Sequence, residues 1–233
     1  MIAYSAKFEE ANVICIVPIS EDGKPEAEPI IVEPPTQDYK LSGWSTDGKI
    51  GFCTTEEPHF ALYTVSASGG RTVQVTPEGY ATYPSWSPDG TRIFFLNAET
   101  EIAWVSADGG EIEIIPALFA ERTPRVELIP EYGVGNAVSP DGTSIVFSAV
   151  KEGIPGIHLW MIPVEGGKPV QLTSSPQPYE DRFPCWSPNG DSVAFLRFRM
   201  QCNIFVVSVE GGEPRQITSD LDSVASSVIG WSP

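Results

Sequence analysis

The sequence predicts an all-β fold built from repeated four-stranded antiparallel units, and three observations carry that reading. A motif of the form Trp-Ser-Pro-Asp-Gly recurs at 43–48, 85–90, 137–142 and 185–190, with a partial copy at 230–233. A Gly-Gly pair follows each complete copy, at 69–70, 109–110, 166–167 and 211–212. The segments between these markers are short apolar runs bounded by turn-forming residues, the pattern of strands.

Within a unit, the first strand ends on an anchor: Trp44, Trp86, Val138, Trp186 or Trp231. A tight turn follows at Asp47, Asp89, Asp141 or Asn189, each before a glycine that tolerates the positive φ such turns require. The second strand is Ile50–Phe52, Ile93–Phe95, Ile145–Phe147 or Val193–Phe195, and the third is Leu62–Val65, Ile102–Val105, Leu159–Ile162 or Ile204–Val207. The Gly pair then turns the chain into a fourth strand that ends near Thr76, Pro116, Thr173 or Thr218. Residues 1–33 supply a variant unit with strands at Ile2–Ser5, Val13–Val17 and Ile30–Val32, and Asp22-Gly23 in place of the Gly pair.

The anchors lie 42 to 52 residues apart, a period that marks a repeat array. The units are 1–39, 40–81, 82–133, 134–181 and 182–223, with a closing strand at 224–233, all in a single domain spanning 1–233. Four short strands cannot bury both faces alone, so the units must pack on one another. Radial packing gives a β-propeller, and a linear β-array is the alternative. Residues 1–33 carry the last three strands of a blade and 224–232 a first strand. Joined, they make five blades with the closing one shared between the termini. The same register would arise in a piece of a six- to eight-bladed ring.

The repeated Trp-Ser-Pro-Asp-Gly, the following Ile-x-Phe, the strand into Gly-Gly and the Gln-Leu-Thr at 171–173 resemble the TolB-type propeller repeat. The same repeat is found in tricorn-like proteins and in the propellers of prolyl oligopeptidase-like peptidases. Departures are Thr46 for Pro, Val138 for Trp, Asn189 for Asp, and a long insertion at 117–133. The resemblance implies a periplasmic protein if a leader was removed, and a cytoplasmic one is the alternative.

Composition narrows the function. Thirty-one acidic residues face 14 basic ones, a formal charge of −17 without a Lys/Arg cluster, so nucleic acid is not an expected partner. No apolar run approaches the roughly 18 residues of a membrane helix. The chain lacks the G-x-S-x-G elbow of an α/β-hydrolase nucleophile, and its two histidines, His59 and His158, and four scattered cysteines lack metal-ligand spacing. No enzyme activity, cofactor or metal is expected. A monomer that binds a peptide or protein is the expectation. An accessory propeller for a prolyl oligopeptidase-like serine peptidase is the second reading, and a polysaccharide lyase-like propeller enzyme the third.

Strand polarity assigns the monotonous Asp-Gly and Gly-Gly turns to one rim and every variable loop to the other, where binding residues collect. Tyr39, Tyr80, Tyr132 and Tyr179 precede the anchors and are expected around the channel mouth on the variable rim, along with its main pocket. Packing between blades is the alternative for these tyrosines. Arg122, Arg125, Arg182, Arg197 and Arg199 are the cations near those loops; they either select an acidic segment or pair with neighbours such as Glu180 and Asp181.

Overall fold

The computed structural model of the chain describes residues 1–56, 60–79, 81–97, 101–116, 126–128, 138–151, 153–174, 179–199 and 202–219. Every regular element among them is a β-strand. The first sheet holds β1 (Ile2–Phe8), β2 (Ala11–Val17) and β3 (Ile30–Val32) in that order. The second holds β4 (Tyr39–Trp44), β5 (Lys49–Thr54), β6 (Leu62–Ser66) and β7 (Val73–Gln74). The third holds β8 (Thr82–Trp86), β9 (Arg92–Leu96), β10 (Ile102–Ser106) and β11 (Glu113–Ile114). A fourth unit comprises β12 (Val126–Leu128), β13 (Ser144–Lys151), β14 (Ile154–Pro163) and β15 (Val170–Gln171). The fifth comprises β16 (Tyr179–Trp186), β17 (Ser192–Phe198), β18 (Cys202–Ser208) and β19 (Arg215–Gln216).

The repeated motifs fold as their chemistry requires. Ser45, Ser87, Ser139 and Ser187 donate their hydroxyls to Asp47, Asp89, Asp141 and Asn189, and accept the backbone N–H of Lys49, Arg92, Ser144 and Ser192. The turn glycines 48, 90, 142 and 190 have φ of 84, 73, 73 and 74°. The turn aspartates are therefore occupied by the turns themselves, and these hydrogen bonds, led by the serine's, hold their carboxyls below the usual range. The fourth strand is fastened by Thr76, Thr173 and Thr218, whose hydroxyls accept the N–H of Leu62, Leu159 and Ile204. Pro116 stands at this position in the third unit, and its carbonyl instead accepts Gly167 N–H from the next.

Each second strand presents one face to the preceding unit. Ile50 and Phe52 pack on Ile14, Ile16 and Val32; Phe147 packs with Phe94 and Leu96; Phe195 and Trp186 pack with Val146 and Leu159. Phe52, Phe95, Phe147 and Phe195 are fully buried, each contributing on the order of 1.5–3 kcal/mol of transfer free energy. Trp186 is buried as its anchor position predicts, whereas Trp44 and Trp86 are half-buried; all three border a cavity on the axis.

The turns touch from one unit to the next. Thr46 donates its hydroxyl to the Asp89 carbonyl at 2.9 Å, so this departure from proline has its own bond. Pro88 lies 3.7 Å from where a Cβ on Gly142 would stand, and Pro140 lies 3.5 Å from the same position at Gly190.

Two features depart from simple repetition. The fourth and fifth units form one continuous eight-stranded sheet, because β14 pairs in parallel with β16, Gly156 opposite Tyr179 and Ile157 opposite Glu180. The β13–β14 hairpin extends well beyond the usual strand length and so lies along the start of the next unit. The insertion contributes as well: β12 pairs with the far half of β13, Leu128 opposite Ala149, while Val138 bridges Ile145. Residues 126–128 thus pair within the fourth unit, although sequence spacing groups 117–133 with the third.

Candidate functional site

Tyr80, Tyr132, Arg122, Arg125 and Trp231 lie outside the described residues. The other rim candidates separate into distinct roles. Tyr39 pairs opposite Thr54 and packs edge-on against Phe52 at 5.8 Å, inside the cluster that joins the first two sheets. Burial raises its phenol pKa, with Ser5 acting against that rise. Tyr179 is not its counterpart in register. Tyr39 precedes Trp44 by the same interval as Asp181 precedes Trp186, so Tyr179 lies two residues farther out on the rim.

Asp181 is the centre of a buried network that spans two units. Its carboxylate accepts Arg197 Nε at 2.6 Å and Nη2 at 2.8 Å, a two-point fork. His158, fully buried in β14, donates Nε2–H to the Pro155 carbonyl at 3.2 Å and turns Nδ1 toward Asp181 Oδ2 at 3.9 Å. Burial, the largest single influence on Asp181, pushes its pKa up. Its hydrogen bonds, led by the Arg197 fork, and the Arg197 charge outweigh it and hold the carboxyl below the usual range. The Arg197–Asp181 pairing could be read from distance to the Trp186–Val193 register, but His158 belongs to another repeat and no spacing rule joins them.

Above this network lies a ledge of aromatic and guanidinium groups. Tyr179 has Arg197 5.2 Å and Arg199 5.5 Å from its ring centre. Arg182 reaches Glu180 at 2.6 Å and covers Phe198 at 5.4 Å. Arg199 is exposed, and among the described residues it pairs with no carboxylate.

The axis holds a cavity of about 460 Å³ bordered by Trp44, Trp86, Val138 and Trp186 and by the turn residues Pro88 and Pro140. Its lining places it toward the turn rim, a site distinct from the variable-rim pocket that the sequence pattern leads one to expect. Small residues before the anchors, Gly43, Ser85 and Cys185, leave that space. No charged side chain borders it among the described residues. Among the described residues, no three His, Cys, Asp or Glu side chains come together as a metal would need. No helix there is long and apolar enough to cross a membrane.

Comparison with solved structures places this geometry. The chain superposes on TolB of Acinetobacter baumannii with a TM-score of 0.65 and 19% identity, covering 93% of this chain and 52% of that one. A structure assigned to TolB of Agrobacterium tumefaciens gives 0.62 and 21%, covering 88% and 75%. The fold is the TolB-type β-propeller.

No protein-family model matches this TolB-type chain. An uncharacterised protein of Agrobacterium fabrum is 26% identical over 176 residues, 67% of this chain and 54% of its own length. Dipeptidyl-peptidase 5 of Porphyromonas gingivalis is 27% identical over 176 residues, 69% of this chain and 24% of its own length. The chain thus spans about half the length of the first of these relatives and a quarter of the second.

Proposed function

We propose that this TolB-type propeller is a monomeric, non-catalytic scaffold that receives a peptide or protein segment on its variable rim. The observation that carries this reading is the ledge at Tyr179. A half-buried aromatic ring with two guanidinium groups against it offers a rigid apolar face beside a cation, the composition of an interface hot spot. Arg197 and Arg182 are already neutralised by Asp181 and Glu180, so Arg199 is left to meet an incoming carboxylate or backbone carbonyl. In a chain of net charge −17, such a local cation acts through orientation more than through overall attraction.

The test uses the immobilised full chain and an array of extended peptides rich in Glu, in Lys or in neutral residues. Tyr179→Ala combined with Arg199→Glu is expected to weaken retained peptides by about 30-fold, the equivalent of about 2 kcal/mol. Lys168→Ala and Arg215→Ala, exposed beyond the Gly-Gly turns, are expected to leave retention unchanged. Loss with the Lys168 or Arg215 change alone would move the functional face to the other rim.

The similarity to a dipeptidyl-peptidase favours a second reading, an accessory propeller that orients substrate for a hydrolase. A reading frame that continues into a G-x-S-x-G elbow with later Asp and His would decide for it.

A further inference from the structure

The axial cavity has a wall and a mouth of different character. The wall holds three of the chain's six tryptophans, Trp44, Trp86 and Trp186, together with Pro88, Pro140 and Pro188. The turn aspartates Asp47, Asp89 and Asp141 directly follow the lining residues Thr46, Pro88 and Pro140, so three carboxylates stand at the mouth while none lines the wall. Hydrogen bonds within the turns, led by the serine's, favour their ionised form. Of the three, only Asp47 has an ion-pair partner among the described residues, Lys49 at 3.3 Å. At about 460 Å³ the cavity falls in the size range of small-molecule sites, roughly 300–1,000 Å³.

The polar groups of the wall narrow the ligand. The hydroxyls of Ser87 and Ser187 are engaged in their own turns, and that of Thr46 is bonded to the Asp89 carbonyl. Ser42 is turned onto β5, its Oγ 2.7 Å from where a Cβ on Gly51 would stand. A sugar or a peptide backbone would bring many donors and acceptors into a wall with few groups left to pair them, which is unfavourable. A metal ion needs carboxylates that converge, and among the described residues no three do. The chemistry that fits is a cation with apolar substituents and no N–H to satisfy.

We propose that the axial cavity binds a small organic cation carrying a trimethylammonium group, held among the indoles of Trp44, Trp86 and Trp186. Indole is the strongest of the aromatic side chains in cation–π attraction, and quaternary ammonium groups are recognised by aromatic cages for that reason. The methyl groups match the apolar wall. The three carboxylates at the mouth, in a chain of net charge −17, supply an attracting field that low-dielectric walls focus into the cavity. This site lies toward the rim opposite the Tyr179 ledge and is independent of peptide binding there.

The test is titration of the full chain with choline, read by tryptophan fluorescence and by calorimetry. Saturable binding is expected, about tenfold tighter than that of 3,3-dimethyl-1-butanol, which has the shape without the charge, and of ethanolamine, which has the charge without the methyl groups. Phosphocholine and glycine betaine carry the same cation beside an anion, and the mouth carboxylates are expected to make both bind more weakly than choline. Trp44→Leu is expected to weaken choline about tenfold. Asp89→Asn with Asp141→Asn is expected to weaken it about threefold and to reduce its salt dependence. Asn189 already serves this turn in the fifth unit, so the double change keeps the fold and decides the matter should Trp44→Leu fail to fold. Equal affinity for the uncharged isostere would leave only apolar burial, and equal affinity for ethanolamine only surface attraction; either overturns the proposal. So would an absence of saturable binding, tighter binding of phosphocholine or betaine, or unchanged affinity in the double aspartate variant.

Discussion

Gly51 leaves the space that the indole of Trp86 occupies. A Cβ on Gly51 would stand 2.9 Å from Trp86 Nε1 and 3.0 Å from its Cζ2, so the second strand of one unit is kept bare for the anchor of the next. Gly51→Ala is therefore expected to destabilise the fold by displacing Trp86, even though alanine suits a strand better than glycine does. Trp86→Ala and Trp186→Ala are expected to cost about 3–5 kcal/mol each, with Trp86 toward the lower figure because it is half-buried. Chemical denaturation of the three variants checks this. Unchanged midpoints would remove the anchor role.

The Arg197–Asp181 fork should be costly to break on one side and tolerant of joint replacement. Arg197→Met leaves a buried carboxylate without its partner, and a loss of about 3–5 kcal/mol is expected. Arg197→Met with Asp181→Leu should recover most of that loss. A double-mutant cycle measures the coupling, and additive losses would show that the fork does not act as a unit.

Because the Asp181 carboxyl is held below its ordinary pKa of 3.8, its contribution to stability is present above that value and is lost as pH falls through the lower, folded-state value. The stability gap between the native chain and Asp181→Asn should consequently narrow on acidification below about pH 4. Asp47, Asp89 and Asp141 share the sign of this effect, so the acid limb persists in the variant with a reduced slope. Urea unfolding at a series of pH values reads it. A gap that stays constant down to strong acid would rule out this role for Asp181.

Gly156→Ala should uncouple the fourth unit from the fifth. Its φ is +101°, and a Cβ there would run into the Tyr179 carbonyl oxygen. The backbone term alone is on the order of 1–3 kcal/mol. Faster exchange of the Tyr179 and Glu180 amides, with the far ends of β4 and β8 unaffected, is the expected signature.

The turns, strand order and anchors were legible in the sequence because each is stated several times over. Ser, Asp and Gly at 87, 89 and 90 satisfy one another within a few residues, so local chemistry decides their geometry. The joint between the fourth and fifth units was not legible. His158 and Asp181 meet only because β13 and β14 run long, and hydrophobic alternation marks a strand without saying how far it projects. The tyrosines illustrate the same limit. Tyr39 and Tyr179 look equivalent by distance to a tryptophan, yet a shift of two residues sends one into the packing between sheets and the other to the rim. The cavity toward the turn rim has a steric origin that the motif does not announce, the small residues preceding Trp44, Trp86 and Trp186.

The parallel pairing of β14 with β16 changes how the array comes apart. A solenoid or propeller whose units meet only through side chains can lose them singly, each opening with its own free energy. Backbone pairing that crosses from one unit to the next, with His158 of the fourth unit packed against Asp181 of the fifth, makes these two units one cooperative block. Such a block resists the loss of either unit alone, and it carries the Tyr179 ledge on its seam.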